Sequence, residues 1–212
     1  MINTDYNSNS NFTTENLYTA SIISKCVPNL INQIQIVDNG DLRIITSTTK
    51  LVRLLKFLKH SSNLQFKALQ DLFGVDLIDY TSLAYPINLN SRFQINYYLL
   101  SYLLKVRILI KVQLDELNSL ESITFLYNSA SWLEREVWDL FGIYFKNHPD
   151  LRRILTDYGF EGYPLRKDFP LTGYTEVVYT TELKKITLKP VELAQEYRAF
   201  DFVSPWDTRR LN

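Results

Sequence analysis

The stretch from Ser129 to Tyr174 reads SASWLEREVWDLFGIYFKNHPDLRRILTDYGFEGYPLRKDFPLTGY and carries the most specific signal in the chain. Its first block has the marks of an amphipathic helix of about ten residues. Ser131 followed three residues later by Glu134 predicts a capping box, in which hydroxyl and carboxylate each accept a free N–H of the first turn. Gly142 supplies the stop, because glycine enters the left-handed C-terminal cap without a Cβ clash. At about 100° per residue, Leu133, Val137, Leu140 and Phe141 share an apolar face, and Arg135 and Asp139 form an i,i+4 ion pair opposite it. Asn147-His148-Pro149-Asp150 then reads as the start of a second short helix, with proline at its first position and aspartate at the positive end of its dipole. Leu151, Ile154 and Leu155 would be its buried face, leaving Arg152 and Arg153 to point outward.

Glu134, Glu136, Asp139 and His148 also admit a catalytic or metal-binding reading, since carboxylates and imidazole are the usual general acids, bases and ligands. The helical wheel opposes it. Glu134 and Glu136 lie about 160° apart and cannot close on one ion, while Asp139 has Arg135 one turn back. A structural role in cap, salt bridges and contacts between subunits is the better expectation. The loop from Gly159 to Pro170 mixes glycines with Arg166 and Lys167 as a phosphate cradle would, but it lacks the GxxxxGK[ST] spacing and no helix start follows it. An interface loop fits better. Its prolines and paired charges hold its shape, and Phe160, Tyr163 and Phe169 offer apolar anchors to a neighbour.

Three blocks with fixed gaps now stand out: Trp132-Leu-Glu-Arg-Glu-Val-Trp-Asp-Leu-Phe-Gly142, His148-Pro-Asp-Leu-Arg-Arg-Ile-Leu155, and Gly162-Tyr-Pro-Leu-Arg-Lys-Asp-Phe-Pro170. Together they resemble the signature of the 30 kDa subunit family of respiratory complex I, the proton-pumping NADH:ubiquinone oxidoreductase. The resemblance continues through Leu171 to Val177 and into Glu196-Tyr-Arg-Ala-Phe-Asp-Phe-Val-Ser-Pro-Trp206, in the manner of the mitochondrial branch. From about Glu15 to Ile123 it rests on element order and hydrophobic pattern alone. It implies a non-catalytic scaffold subunit of the hydrophilic arm, on the matrix side of the mitochondrial inner membrane. It further implies FMN and iron–sulfur clusters in partner subunits, none in this chain, and neighbours that include the large quinone-pocket subunit and the subunit holding the terminal cluster. The signature positions expected to act in structure and contact are Trp132, Glu134, Arg135, Glu136, Asp139, Gly142, His148, Pro149, Arg152, Arg153, Gly162, Pro164, Arg166, Lys167, Asp168, Phe169, Pro170, Phe200, Phe202 and Trp206.

Composition agrees independently. The 212 residues carry 23 basic and 23 acidic side chains, so no bulk field favours nucleic acid or an anionic membrane. No apolar run approaches the roughly 18 residues that span a bilayer. A single cysteine, Cys26, excludes an intrachain disulfide and any Cys-cluster metal site. The first sixteen residues are rich in Asn, Ser and Thr and lack both an Arg-rich import helix and a secretory apolar core, as expected of a chain made inside the organelle and nearly as well of a processed mature protein.

Along the rest of the chain, Glu15 to Cys26 has weak helical spacing. Asn32 to Val37 and Leu42 to Ser47 flank Asp38-Asn39-Gly40-Asp41, a strong hairpin signal. Thr48 or Thr49 would cap a helix carrying the stripe Leu51, Leu54, Leu55 and Leu58, with Lys59 and a solvated His60 at its end. Gly74, Val75 and Ile78 tilt the segment from Phe66 to Ile78 toward strand. Arg92 to Leu104 reads as a second strand, with Tyr97, Tyr98 and Tyr102 packing on the sheet. Val106 to Leu114 alternates cleanly, the pattern of a sheet covered on one face. The expected fold is therefore α+β: residues 15–155 form a two-layer domain whose mostly antiparallel sheet is backed by helices. Residues 1–14 are a flexible N-terminus, and 156–212 form loops, a candidate hairpin around Glu176 to Pro190 and an extended C-terminal segment wrapping partners.

Overall fold

The computed structural model describes residues 2–3, 14–37, 41–78 and 91–200. The alternating run is a strand, β6 (Val106–Leu114), and Val106, Ile108, Ile110, Val112 and Leu114 are all buried. Each lies directly opposite a residue of its antiparallel neighbour β5 (Phe93–Ser101), so Phe93, Ile95, Tyr97, Leu99 and Ser101 fall on the same face. Directly opposed residues share a face because side chains alternate with period two. β4 (Ala68–Asp76) pairs antiparallel with β5 on its far side, with a register shift between Leu69 and Asp71.

On the other flank β3 (Leu42–Thr46) runs parallel to β6, and β2 (Gln33–Ile36) runs antiparallel to β3 with Gln33 opposite Ile45 and Ile36 opposite Leu42. This fixes the register that alternation alone left open; the Asn39-Gly40 turn lies outside the described residues. β1 (Ile2–Asn3) adds a short parallel strand beside Ile34 and Gln35, giving the six-stranded order β1-β2-β3-β6-β5-β4. The sheet is mixed, with antiparallel pairs between β2 and β3, β4 and β5, and β5 and β6.

Helices cover the apolar face. α1 (Thr14–Cys26) contributes Ala20 and Ile23, and α2 (Leu51–His60) contributes Leu51, Leu54, Leu55 and Leu58, each fully buried. A fully buried leucine is worth about 1.5–3 kcal/mol, so the stripe alone anchors α2. The predicted threonine cap is absent: Lys50 occupies the N-cap with no side-chain bond, and the Thr49 hydroxyl pairs with that of Ser47 at 3.3 Å. α3 (Ala130–Phe141) packs across β4, where a Cβ on Gly74 would come within 3.0 Å of the Phe141 ring. Glycine is what lets the two elements approach. Short strands β7 (Leu120–Glu121) and β8 (Phe145–Lys146), paired in parallel, bracket α3. On the opposite face of the sheet Arg107 is exposed and Gln94, Tyr98, Lys111 and Gln113 are partly exposed, while Asn96 is buried with its side-chain oxygen accepting from Gln94 at 2.8 Å. Tyr102 is not sheet packing; it sits in the turn after β5, 69% exposed.

The chain divides into two compact units, Met1–Phe169 and Pro170–Asn212. The first extends past residue 155, where the domain was expected to end, because the segment up to Phe169 is tied to it by the contacts described below. The second contains the expected hairpin, β9 (Thr175–Thr180) paired antiparallel with β10 (Lys185–Pro190).

Candidate interaction site

Gly142 ends α3 in the left-handed conformation, φ 76° and ψ 23°, with its N–H donating to the Trp138 carbonyl. The start of α3 differs from expectation. Ser129 occupies the N-cap without a capping bond, its hydroxyl donating instead to the Leu69 carbonyl at 3.4 Å, and there is no capping box from Ser131 to Glu134. Glu134 is instead fully buried, accepting the Ser122 hydroxyl at 2.6 Å and the Ile123 N–H at 2.8 Å from the turn after β7. Burial pushes its carboxyl up to about 7, against the opposing pull of the Ile123 and Ser122 bonds. A separate turn of chain offering two good donors outcompetes the helix's own first N–H groups.

The Arg135–Asp139 pair does not form either. Arg135 donates to the carbonyls of Arg152 at 3.0 Å and Arg153 at 3.4 Å, and its guanidinium stacks 5.4 Å from the ring of exposed Trp132. Asp139, fully buried, takes the N–H groups of Ile154, Leu155 and Thr156 at 3.1, 2.7 and 3.0 Å, the Thr156 hydroxyl at 2.6 Å and Arg153 at 3.1 Å. Burial alone would raise its pKa, but the Thr156 hydroxyl and the three N–H groups together hold it below the usual carboxylate range.

No second helix follows. Residues 149–156 run as irregular chain on α3, because Asp139 has captured the N–H groups a helix would use internally. Leu155 is 61% exposed and not part of a buried face. Arg152 points outward as expected and pairs with Asp150 at 2.8 Å, but Arg153 turns inward. It donates to the Gly162 carbonyl at 2.9 Å and lies over the rings of Phe160 and Tyr163 at 5.8 and 5.1 Å. The His148 ring is buried, with Nε2 3.1 Å from the Ser131 carbonyl and Nδ1 accepting the Asp150 N–H at 3.1 Å. Those bonds orient the ring, and Nε2 also lies 3.9 Å from Glu134. Pro149 is exposed and Glu136 half-buried on the flank of α3.

The loop to Phe169 is bound by a second cluster that draws on residues far away in sequence. Arg92, at the entry to β5, contacts Asp168 at 2.8 Å, Glu116 at 3.0 Å and Asp76 at 3.4 Å. Desolvation opposes its charge, but the bonds to Asp168, Asp76 and Glu116 prevail and raise its pKa, while Arg92 holds Asp168 below the usual range. Arg166 bonds the Phe141 carbonyl and Glu116, both at 2.6 Å, and stacks 4.6 Å from the Tyr163 ring. The Lys167 N–H reaches Asp76 at 3.0 Å, while its side chain is exposed.

Tyr163, expected as an anchor for a neighbour, packs edge-on against Trp138 at 6.0 Å, and Phe160 meets Phe169 at 5.9 Å. A Cβ on Gly142 would strike the Tyr163 ring at 2.6 Å and one on Gly162 the Phe169 ring at 2.8 Å. Pro164 is half-buried in this loop, and Pro170, whose carbonyl accepts the Gly173 N–H at 3.0 Å, opens the second unit. Phe200 is exposed beneath Arg198; Phe202 and Trp206 lie outside the described residues. Asp76, Arg92, Glu116 and Ser122 were not singled out by sequence; each lies outside the three blocks and gains meaning only through a partner 12 or more residues away. Among the described residues no group of three or more His, Cys, Asp or Glu side chains converges as a metal site.

The family described as respiratory-chain NADH dehydrogenase, 30 Kd subunit, matches residues 44–175. The chain belongs to this family. The match runs from β3 to the first residue of β9 and so contains both charged clusters. The chain is 50% identical over 183 residues to NADH-ubiquinone oxidoreductase subunit 9 of Reclinomonas americana, covering 86% of this chain and 85% of that one. It is 47% identical over 182 residues to NADH dehydrogenase (ubiquinone) iron-sulfur protein 3 of Beta trigyna, covering 86% and 90%. A chain in the structure of the membrane-bound sulfane sulfur reductase, an archaeal respiratory membrane complex, has the same fold, with TM-score 0.57 and 22% identity over 73% of this chain and 85% of that one. In this member of the 30 kDa family the three signature blocks are thus a helix, a captured stretch of irregular chain and a latched loop.

Proposed function

We infer that the chain is a scaffold subunit of the hydrophilic arm of NADH:ubiquinone oxidoreductase, acting beside the quinone module in the mitochondrion on the matrix side of the inner membrane. It performs no redox step itself, and FMN and iron–sulfur clusters belong to its partners, among them the large quinone-pocket subunit and the subunit of the terminal cluster. Family membership supports the assembly, and one structural observation supports the role: Glu134, Arg135, Asp139, Arg153, Arg166 and Asp168 are engaged in holding the chain's own shape. Asp139 has its oxygens filled by donors, Glu134 and the His148 ring are shut away from solvent, Arg153 is bound to Asp139 and the Gly162 carbonyl, and Arg166 to the Phe141 carbonyl and Glu116. Carboxylate oxygens already taken up by internal donors leave little capacity for a substrate proton in this conformation. The internal bonds of Glu134, Asp139 and His148 thus favour a structural role over the hydrolytic reading that groups them with Glu136.

Arg135→Glu tests the division of labour. The variant loses both carbonyl bonds and sets a carboxylate against the oxygens of Arg152 and Arg153. The expected result is less assembled complex, with NADH:ubiquinone turnover per assembled complex unchanged. Normal abundance with slowed turnover per complex would count against a scaffold.

A further inference from the structure

Between Asp41 and Asp71 the chain carries Arg43, Lys50, Arg53, Lys56, Lys59 and Lys67 and not one acidic residue, although its total charge is zero. α2 turns its leucine stripe inward, so Arg53 and Lys56, three residues apart, stand exposed on its outer side. Arg92, Arg152, Arg153 and Arg166 each bind a carboxylate, whereas among the described residues no carboxylate pairs with Lys50, Arg53, Lys56, Lys59 or Lys67. At the end of α2 this face opens into a cleft of about 450 Å³, which Lys59 and Lys67 line and no carboxylate does. The Lys59 ammonium is held in place by the Leu126 carbonyl and by the Tyr127 ring, 4.9 Å away. Phe125, 61% exposed with the Lys56 ammonium 5.1 Å from its ring, forms an apolar wall. Ala68 and Leu69 also line the cleft, and they open β4, the last strand of the sheet, which pairs on one side only. Such an edge presents a row of peptide N–H and C=O groups that match another extended chain.

We propose that this cleft and the outer side of α2 bind an extended acidic polypeptide segment of another protein, its carboxylates paired with Lys56, Lys59 and Lys67 and its backbone laid along the start of β4. The surface is separate from the bonds of the signature blocks, so it stands apart from the scaffold reading. Cations without acidic partners around a cleft select an anion. The strand edge selects a polypeptide among anions, because a phosphate ion or a lipid headgroup would engage the lysines and leave the peptide groups of β4 unserved. A membrane surface also takes up apolar side chains from the helix that lies on it, and α2 has buried Leu51, Leu54, Leu55 and Leu58 in the core.

The test uses the full-length chain and, as probe, a synthetic peptide of about ten residues alternating Glu with Thr, whose carboxylates share one face when it is extended. A peptide with Gln in place of Glu is the control. The expected result is salt-sensitive binding of the Glu peptide, about tenfold or more tighter than the Gln peptide. Amide shifts should change over Lys67 to Leu69 and Phe125 to Ser129 and stay fixed in β9 and β10. Lys56→Glu combined with Lys67→Glu should weaken binding about tenfold or more. Lys185→Glu combined with Lys189→Glu, the same change of net charge on the hairpin, should leave it unaltered. All four side chains are exposed, so both variants should melt as the wild type does; if the first melts early, the two peptides and the shift map on the wild type decide. No binding, equal binding of the two peptides, equal loss in both variants or shifts confined elsewhere overturns the proposal. Inorganic phosphate, a single-stranded oligonucleotide, or phosphatidylcholine vesicles with added phosphatidylserine, displacing the Glu peptide at lower concentration than its own, overturns it in favour of that anion. Self-association lost on Lys56→Glu with Lys67→Glu overturns it in favour of a second copy.

Discussion

At Glu134 a carboxylate is fully buried with two donors, and the nearest ring nitrogen, 3.9 Å away on His148, is committed to the Ser131 carbonyl. Because burial lifts its pKa to about 7, the folded protein holds this proton more tightly than the unfolded chain does. The contribution to stability is therefore full below the ordinary carboxylate range and is lost as pH rises to about 7. The loss is on the order of 2–4 kcal/mol. Glu134→Gln should abolish that slope, so stability in urea from about pH 4.5 to about pH 8 is expected to decline for the wild type and stay level for the variant. Parallel profiles would show that Glu134 does not carry the titration. Gly142 is the opposite case, a residue whose role the sequence displayed. Its φ of 76° and the Tyr163 ring 2.6 Å from a would-be Cβ leave no room for a side chain. Gly142→Val should cost about 1–2 kcal/mol for the backbone alone and lower the melting temperature by several degrees. An unchanged calorimetric transition would contradict this.

Among the elements, those with long periodicity were legible and those made by distant partners were not. The leucine stripe of α2, the alternation of β6 and the apolar face of α3 each repeat several times within one segment, which is what period-based reading detects. β7 and β8 are two residues each and show no period. The segment after Pro149 has every local sign of a helix, yet tertiary bonding overrode propensity, because Asp139 offered a buried acceptor for Ile154, Leu155 and Thr156. The latch of Arg92, Asp76, Glu116, Arg166 and Asp168 joins a strand end, a strand entry and two loops, and no spacing rule links them. Asp139→Asn tests the captured segment. It removes the charge and one acceptor, so amide exchange at Ile154, Leu155 and Thr156 should rise about tenfold or more while β5 and β6 keep their protection. Because folding lowers the pKa of Asp139, its contribution is present above the unfolded carboxylate pKa and is lost as pH falls through the folded one. Acid should therefore loosen the same amides. Protection in the variant equal to wild type would contradict the capture.

For the whole molecule, the first unit has a large single core and binds most of its signature charges internally, whereas the described part of the second has apolar side chains and no buried ones. That contrast is what a scaffold needs: a self-sufficient body and a surface left for others. The α+β class and the single-sided cover of the sheet could be read from alternation and composition, since both follow from where apolar side chains recur. The extent of the first unit could not, because Phe160, Tyr163 and Phe169 look like anchors for a neighbour until Arg153 and Arg166 are seen stacked upon Tyr163. The central claim is that this chain works as a bound, non-catalytic subunit, and native electrophoresis of membranes solubilised in mild detergent tests it most directly. The account predicts that the chain migrates in fixed proportion with a large complex that stains for NADH oxidation, and that the free chain oxidises no NADH. Finding the chain mainly outside that complex, with turnover of its own, would contradict it.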